Sequence, residues 1–272
     1  MAVSANSYFS NAIIGDPQLG SDINIYDTSS TPKYAIGYGF ARADGNRYRY
    51  CHFGALTAVG AVVATDHLES SMTSTQLTVG AEPANVTRKS GYILDPNVVG
   101  AKYMQLTITA TADQFAGGYI GSIAGSGTGY TYRILGNTAT GTPVTGDCYL
   151  TLSDPIQQSI GSNTSFLITG SKYANIEPAM ALTPALSHSV GFATVGQTAA
   201  NYGWICTKGI TTAILGAGAV PSLSCYAIVS TSTAGAIVST YTVGTTSNYQ
   251  IVGTIVQTYS ASTYCLVDVM LE

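Results

Sequence analysis

Residues 209–267 read GITTAILGAGAVPSLSCYAIVSTSTAGAIVSTYTVGTTSNYQIVGTIVQTYSASTYCLV and contain no Lys, Arg, His, Asp or Glu over 59 positions. In and just beyond this stretch, the runs CYAIVS, AIVSTYTV, YQIVGTIVQTY and TYCLVDVML are β-branched and aromatic and are separated by Ser-Thr-Gly turns. The pattern predicts a meander of strands. Because monomers usually protect exposed sheet edges with charges, the missing charges predict that assembly with other chains covers this surface.

A hairpin is predicted nearer the start of the chain. The run YAIGYGFA, from Tyr34, leads into Ala43-Asp44-Gly45-Asn46, where the Asp-Gly pair tolerates positive φ, and RYRYCHF then resumes the alternation. In that second run, Tyr48, Tyr50 and His52 share one face, while Arg47, Arg49, Cys51 and Phe53 share the other. Neither face is purely polar, which predicts a strand covered on both sides or placed at a subunit contact.

The middle of the chain also alternates. KYMQLTITATA, residues 102–112, predicts a half-buried strand with Met104, Leu106 and Ile108 on its apolar side, and the glycine-rich run 117–134 predicts short strands separated by glycine turns. The one weak helix candidate lies near residues 65–77. We therefore expect an all-β protein, a sandwich or barrel of short strands. An extended N-terminal arm is predicted at 1–30 and a β domain at 31–272, with candidate subdivisions near 90 and 180.

Composition excludes several classes of protein. Charged residues make up 9% of the 272, against roughly 25% in ordinary soluble proteins. A hydrophobic share of 46% with a net charge of −4 is incompatible with disorder, and no apolar run reaches the roughly 18 residues of a membrane span. Ten basic residues give no signal for nucleic acid. The first twenty residues lack a basic n-region and a long apolar core, which predicts synthesis in the cytoplasm rather than secretion.

Catalytic and metal-binding patterns are weak. The five cysteines are odd in number, widely spread and without a C-x-x-C pair, which predicts buried free thiols. No G-x-S-x-G elbow accompanies His52, His67 or His188, and Asp66-His67-Leu68-Glu69 is the nearest approach to a metal cluster. Gly125-Ser126-Gly127-Thr128-Gly129 precedes a strand and has no following Lys, so it predicts a turn rather than a phosphate cradle. We expect no enzymatic activity, no cofactor and no metal.

The only tryptophan is the most informative single side chain. Alternation along Ala200–Cys206 places Tyr202, Trp204 and Cys206 on one face, with Gly203 and Ile205 opposite. Trp204 is therefore predicted as a core anchor, with a ligand-stacking platform as the alternative.

Three blocks carry a resemblance to a known group of proteins. The first is Ala43–Tyr50 followed by Phe53-Gly54-Ala55-Leu56; the second is Val190-Gly191-Phe192-Ala193 with Ala200–Gly209; the third runs from Gly117 through Gly129–Ile134 to Leu152-Ser153-Asp154-Pro155. They resemble strand and turn segments of small structural proteins of tailed-bacteriophage heads, where D-G-x-x-[FY]-x-Y leads into a G-A-L turn and Y-[GF]-W-[VI]-x-x-x-G forms a strand. Cysteines 51 and 206 depart from the expected valine or glutamine.

The resemblance implies a capsid decoration, or cement, protein that binds the outer surface of the shell. Its partner would be the major capsid protein, its location the virion surface, and its affinity would come from many copies acting together. We further expect a homotrimer, because cyclic closure hides sheet edges. The arm is expected to attach to the capsid through Ile13, Ile14, Leu19, Ile23 and Ile25. The alternative is a head or tail fibre protein that binds host-surface glycans; a glycan depolymerase is the enzymatic alternative.

Overall fold

The computed structural model describes residues 23–65, 77–78, 97–140, 147–161, 164–179, 188–216, 225–240, 250–258 and 263–272. These ranges contain strands and turns but no helix, so the fold is all-β, and none of them holds a helix that could cross a membrane. In chain order the strands are β1 (Gly39–Ala41), β2 (Arg47–His52), β3 (Val62–Thr65), β4 (Leu77–Thr78), β5 (Tyr103–Leu106), β6 (Tyr119–Ala124), β7 (Thr131–Asn137), β8 (Cys148–Leu152), β9 (Ser165–Thr169), β10 (Ile176–Pro178), β11 (Ser189–Ala193), β12 (Tyr202–Leu215), β13 (Tyr226–Val229), β14 (Ala236–Thr240), β15 (Ile251–Thr258) and β16 (Tyr264–Met270).

The chain divides into two compact units. Unit 1 comprises residues 1–68 and 172–272, and unit 2 comprises residues 69–171. Unit 2 is thus inserted in the sequence of unit 1, with boundaries at 68/69 and 171/172, whereas the sequence pattern placed candidate subdivisions near 90 and 180. Composition does not mark the boundaries, because the two segments of unit 1 are joined by strand pairing between residues far apart in sequence.

Five strands of unit 1 close into a barrel. The second half of β12 pairs antiparallel with β16, and the pairing continues through β15, β13 and β14 until β14 returns to the end of β12 in parallel. Alternate side chains from all five strands fill the interior, among them Ala213, Ala227, Ile237, Val252 and Val267. The predicted strands are confirmed, but the predicted meander is wrong. The second half of β12 pairs with β14 and β16 rather than with β13, the next strand in sequence. This pairing closes the barrel, and the local sequence does not encode it.

The first half of β12 belongs to a second group of strands in unit 1. Here β12 pairs with β2 and β11, β11 pairs with β3, and β3 pairs with β10. A parallel bridge between Phe53 and Ile176 brings the end of β2 to β10. Each of these five strands or its immediate extension contributes to one core, which contains Cys51, Phe53, Val63, Tyr173, Ile176, Val190, Ala193 and Ile205.

The predicted hairpin is β1–β2. Its register pairs Phe40 with Tyr48, and the intervening turn contains Gly45 at φ 90°. Cys51 and Phe53 point into the core just described, whereas Tyr48 and Tyr50 pack with Trp204 on the other side of β2. Of the two predicted alternatives, the first is seen within unit 1: β2 has a core on each side, although Arg47 at its start is exposed.

Unit 2 is a six-stranded antiparallel sheet in the order β4-β9-β6-β7-β8-β5. Its core includes Met104 and Leu106 from the predicted half-buried strand, together with Ile120, Ile134 and Phe166. The glycine-rich segment forms the β6–β7 hairpin, and Gly125, Gly127 and Gly129 adopt positive φ in its turn, as predicted.

Candidate functional site

The outer surface of the barrel carries a group of exposed apolar side chains. Along β16 the burial alternates, so that Cys265, Val267 and Val269 face the barrel interior while Tyr264, Leu266 and Met270 face outward. Three more members lie on β12, β15 and β13, so the group follows four of the five strands around the outside of the barrel. Its six members, Ile210, Tyr226, Val256, Tyr264, Leu266 and Met270, are each between 37% and 52% exposed. We call these six residues the barrel face.

Only two charged side chains border the barrel face on β12 and β16. The strand register places exposed Lys208 opposite Met270, and half-buried Asp268 opposite Ile210. Neither charge forms an ion pair within 4.0 Å among the residues that the structure describes. Between them in sequence lie the 59 residues without a charge, so threonine and serine hydroxyls supply most of the polarity around the apolar group. Such a surface suits contact with another protein, because little charge needs to be desolvated.

The Trp204 side chain lies in an aromatic cluster rather than on the surface. It is 1% exposed, and its ring centroid lies 5.4 Å from that of Tyr34, 6.1 Å from that of Phe40 and 5.3 Å from that of Tyr50. The cluster covers the face of β2 and β12 opposite to Ile205, so the alternation derived from the sequence holds. Trp204 thus has the surroundings of a core residue and no free face for a ligand.

The N-terminal segment joins unit 1 from residue 23 onward. Ser29 and Tyr202 exchange two backbone hydrogen bonds of 3.0 and 2.7 Å, and Thr194 Oγ1 donates to the Ile25 carbonyl at 2.7 Å. Ile25 is 5% exposed, and half-buried Ile23 packs against the same aromatic cluster. Ile23 and Ile25 are two of the five candidate capsid contacts. Their side chains pack within the chain, against the aromatic cluster around Trp204. Ile13, Ile14 and Leu19 lie outside the described residues.

A partly buried polar network joins β2, β12 and Glu272. The Glu272 carboxylate accepts hydrogen bonds from Arg49 Nε at 2.7 Å, Tyr173 Oη at 2.7 Å and Thr207 Oγ1 at 3.2 Å. Burial alone would raise the pKa of Glu272, but these hydrogen bonds and the Arg49 charge outweigh it and hold the pKa below its usual value. Sequence reasoning missed this network, because its members are separated by up to 223 positions.

The side chains considered for catalysis are the histidines and the cysteines. His52 Nδ1 lies 2.7 Å from Asn175 Oδ1, His188 is exposed, and His67 is outside the described residues. All five cysteines are buried thiols outside any disulfide, which confirms that prediction. Burial raises the pKa of Cys206 to about 12 and that of Cys265 to about 11, so both remain thiols at neutral pH. Within the described ranges, no group of three or more His, Cys, Asp or Glu could hold a metal ion.

No protein-family model, curated protein or solved structure matches the chain. The sequence had indicated an uncharged assembly surface over 209–267 without locating it. The alternation in TYCLVDVM identifies the outward residues of β16, but the strands beside β16 become known only from the fold.

Proposed function

We propose that the protein is a non-catalytic structural component of a phage virion, a cement protein that binds the outer surface of the capsid as a homotrimer. The observation that carries the proposal is the barrel face, an exposed apolar group on strands almost free of charge. Its proposed partners are further copies of the chain and the major capsid protein.

The barrel face has the chemistry of a contact between copies. Ile210 and Met270 are about half exposed, so covering the remaining half stabilises an interface by roughly 1 kcal/mol for each side chain. In a cyclic trimer each copy contacts its two neighbours through different patches, and the ring closes without leaving a patch uncovered. Lys208 and Asp268 fit such a ring, because opposite charges near one face can pair between adjacent copies.

A role through many weak contacts agrees with the remaining features. The thiols of Cys206 and Cys265 stay protonated at neutral pH, and His52 is held by an asparagine rather than by a carboxylate that would orient a general base. Binding at repeated positions of a shell adds the contributions of many copies, so each interface needs only modest affinity.

The oligomeric state is the first test. Light scattering coupled to gel filtration should give three times the 28.1 kDa chain mass for the parent protein. The double variant Ile210→Asp, Met270→Asp should shift the mass to that of the monomer, because it places carboxylates in the proposed contact. Leu56→Asp is the matched control, since Leu56 is 75% exposed in unit 1 but outside the barrel face. A parent protein that stays monomeric at micromolar concentration contradicts the trimer.

The number of copies per particle tests the cement role itself. Quantitative mass spectrometry of gradient-purified virions should find hundreds of copies for each particle, and an electron-cryomicroscopy map should show them on the outer shell. A handful of copies at the neck or tail supports the fibre alternative instead. Absence from purified particles removes the proposal.

A further inference from the structure

Unit 2 has an exposed sheet face with a composition different from that of the barrel face. Along β6, β7 and β9 the inward side chains, including Ile120, Ile134 and Phe166, form the core of the unit. The outward positions are exposed or half-buried, and Tyr119, at 52%, carries the largest exposed ring among them. We give the name Tyr119 face to six of these outward residues: Tyr119, Gly121, Thr131, Arg133, Leu167 and Thr169.

The strand register arranges these residues in two adjacent rows. In the first, Tyr119 lies between Thr169 on β9 and Arg133 on β7. In the second, Gly121 lies between Leu167 on β9 and Thr131 on β7. Three strands and two rows span about 10 Å by 7 Å. The rows therefore place one aromatic ring, one guanidinium, one leucine side chain and two hydroxyls around a position that has no side chain.

The glycine at the centre is not required by packing. A Cβ atom at Gly121 would have a single near neighbour, Thr131 Oγ1 at 3.5 Å, which is an ordinary contact, and its φ lies outside the left-handed region. At Gly118, by contrast, a Cβ atom would collide with the carbonyl of Thr169. A glycine inside a strand lowers stability, and it often marks a site where a ligand or another backbone approaches the strand closely. Gly121 thus leaves a shallow step beside the Tyr119 ring that a ligand can occupy.

Arg133 gives the face its charge. It is the only Lys, Arg, Asp or Glu in β6, β7 and β9. Its exposed side chain forms no ion pair within 4.0 Å among the described residues. An exposed arginine without an ion-pair partner is complementary to an anion, and its planar fork matches a carboxylate in a bidentate manner.

We propose that the Tyr119 face binds an acidic carbohydrate, a pyranose that carries a carboxylate. The apolar C–H face of the sugar stacks on the Tyr119 ring, the ring edge enters the step at Gly121, and Arg133 holds the carboxylate. Thr131 and Thr169 offer hydroxyls to the sugar oxygens on either side. The exposed side of the sheet continues through Ile123 on β6 and Leu135 on β7, but only the two rows around Gly121 carry the ring and the guanidinium, and these rows fit one or two sugar rings. The inference does not rest on the proposed function, because it concerns other strands and another ligand.

Affinity electrophoresis of the full chain tests the inference. Gels contain polygalacturonate, alginate or polysialate, with fully methyl-esterified polygalacturonate and dextran as uncharged controls. We expect at least one acidic polymer to retard the parent protein, and the esterified form to have little effect. Tyr119→Ala and Arg133→Gln should each weaken retardation about tenfold, since each removes one principal contact. Gly121→Val should abolish it by filling the step.

The controls separate binding from folding. Tyr130→Ala removes another exposed tyrosine of unit 2, whose ring stacks near Tyr132 instead of lying on the Tyr119 face, and should bind like the parent. Arg133→Gln replaces an exposed side chain and should leave thermal unfolding unchanged, so it remains informative if Gly121→Val folds poorly. The inference is overturned if no acidic polymer retards the parent, if the esterified polymer retards it equally, or if Arg133→Gln and Tyr119→Ala bind as the parent does. These results are independent of trimer formation and of copy number on virions.

Discussion

Replacing Trp204 by alanine should destabilise unit 1 more than any other single truncation in the aromatic cluster. The side chain is 1% exposed and lies within 6.3 Å, centroid to centroid, of Tyr34, Tyr38, Phe40 and Tyr50. Truncation of a buried tryptophan costs about 3–5 kcal/mol through lost contacts and the cavity left behind. Because four aromatic partners lose a ring neighbour at once, we expect the upper part of that range, about 4–5 kcal/mol.

The size of unit 1 converts this cost into a melting temperature. For a unit of roughly 170 residues, 1 kcal/mol shifts the melting temperature by about 2–4 °C, so Trp204→Ala should lower it by about 8–20 °C. The assay is thermal unfolding followed by near-ultraviolet circular dichroism, which reports on the packing of the aromatic rings. Tyr26→Ala is the control, because Tyr26 is 60% exposed and its removal should change stability by less than about 0.5 kcal/mol.

Particle binding separates the two roles considered for Trp204. If it is a core residue, Trp204→Ala loses binding only at temperatures where the protein unfolds, and Trp204→Phe retains most of the stability. A Trp204→Ala variant with the melting temperature of the parent would refute the packing argument. If that stable variant also failed to bind capsids or a glycan, Trp204 would belong to a recognition surface, and the fibre alternative would take precedence.

Three further predictions follow from the described contacts. Glu272→Gln should lower stability at pH 7, and the difference from the parent should shrink as pH falls below the unfolded pKa of about 4.3. The native pKa of Glu272 is lowered, so the contribution of the carboxylate is present above the unfolded value and is lost as pH falls through the native one; a difference that does not diminish in acid contradicts this. Deletion of residues 1–22 should leave a folded protein that no longer binds particles, because Ile25 and Ser29 stay in place; undiminished particle binding contradicts a role of the arm. Ellman's reagent should label no cysteine in native protein within minutes and all five after unfolding, since burial raises the pKa of Cys51, Cys206 and Cys265; rapid labelling of native protein is the contrary result.

The candidate surfaces differ in how far the sequence anticipates them. The absence of charge over residues 209–267 indicates that much of one surface is suited to assembly, yet it does not say that Ile210 and Met270 lie close together on it. The Tyr119 face had no sequence signal beyond a glycine in a strand. It becomes visible only when the register sets Arg133 and Thr169 on either side of Tyr119.

Local pattern alone determined the all-β class, the β1–β2 hairpin, the two covered faces of β2, the buried thiols and the shared face of Tyr202, Trp204 and Cys206. Each of these depends on alternation over a few residues or on turn chemistry, and both act within a single segment. Tertiary structure alone decided the insertion of unit 2, the closure of the barrel through β12, β14 and β16, and the Glu272 network. The physical reason is that a strand's two edges offer equivalent backbone donors and acceptors to many partners. The partner that is selected depends on which closure buries the most apolar side chains, a property of the whole unit.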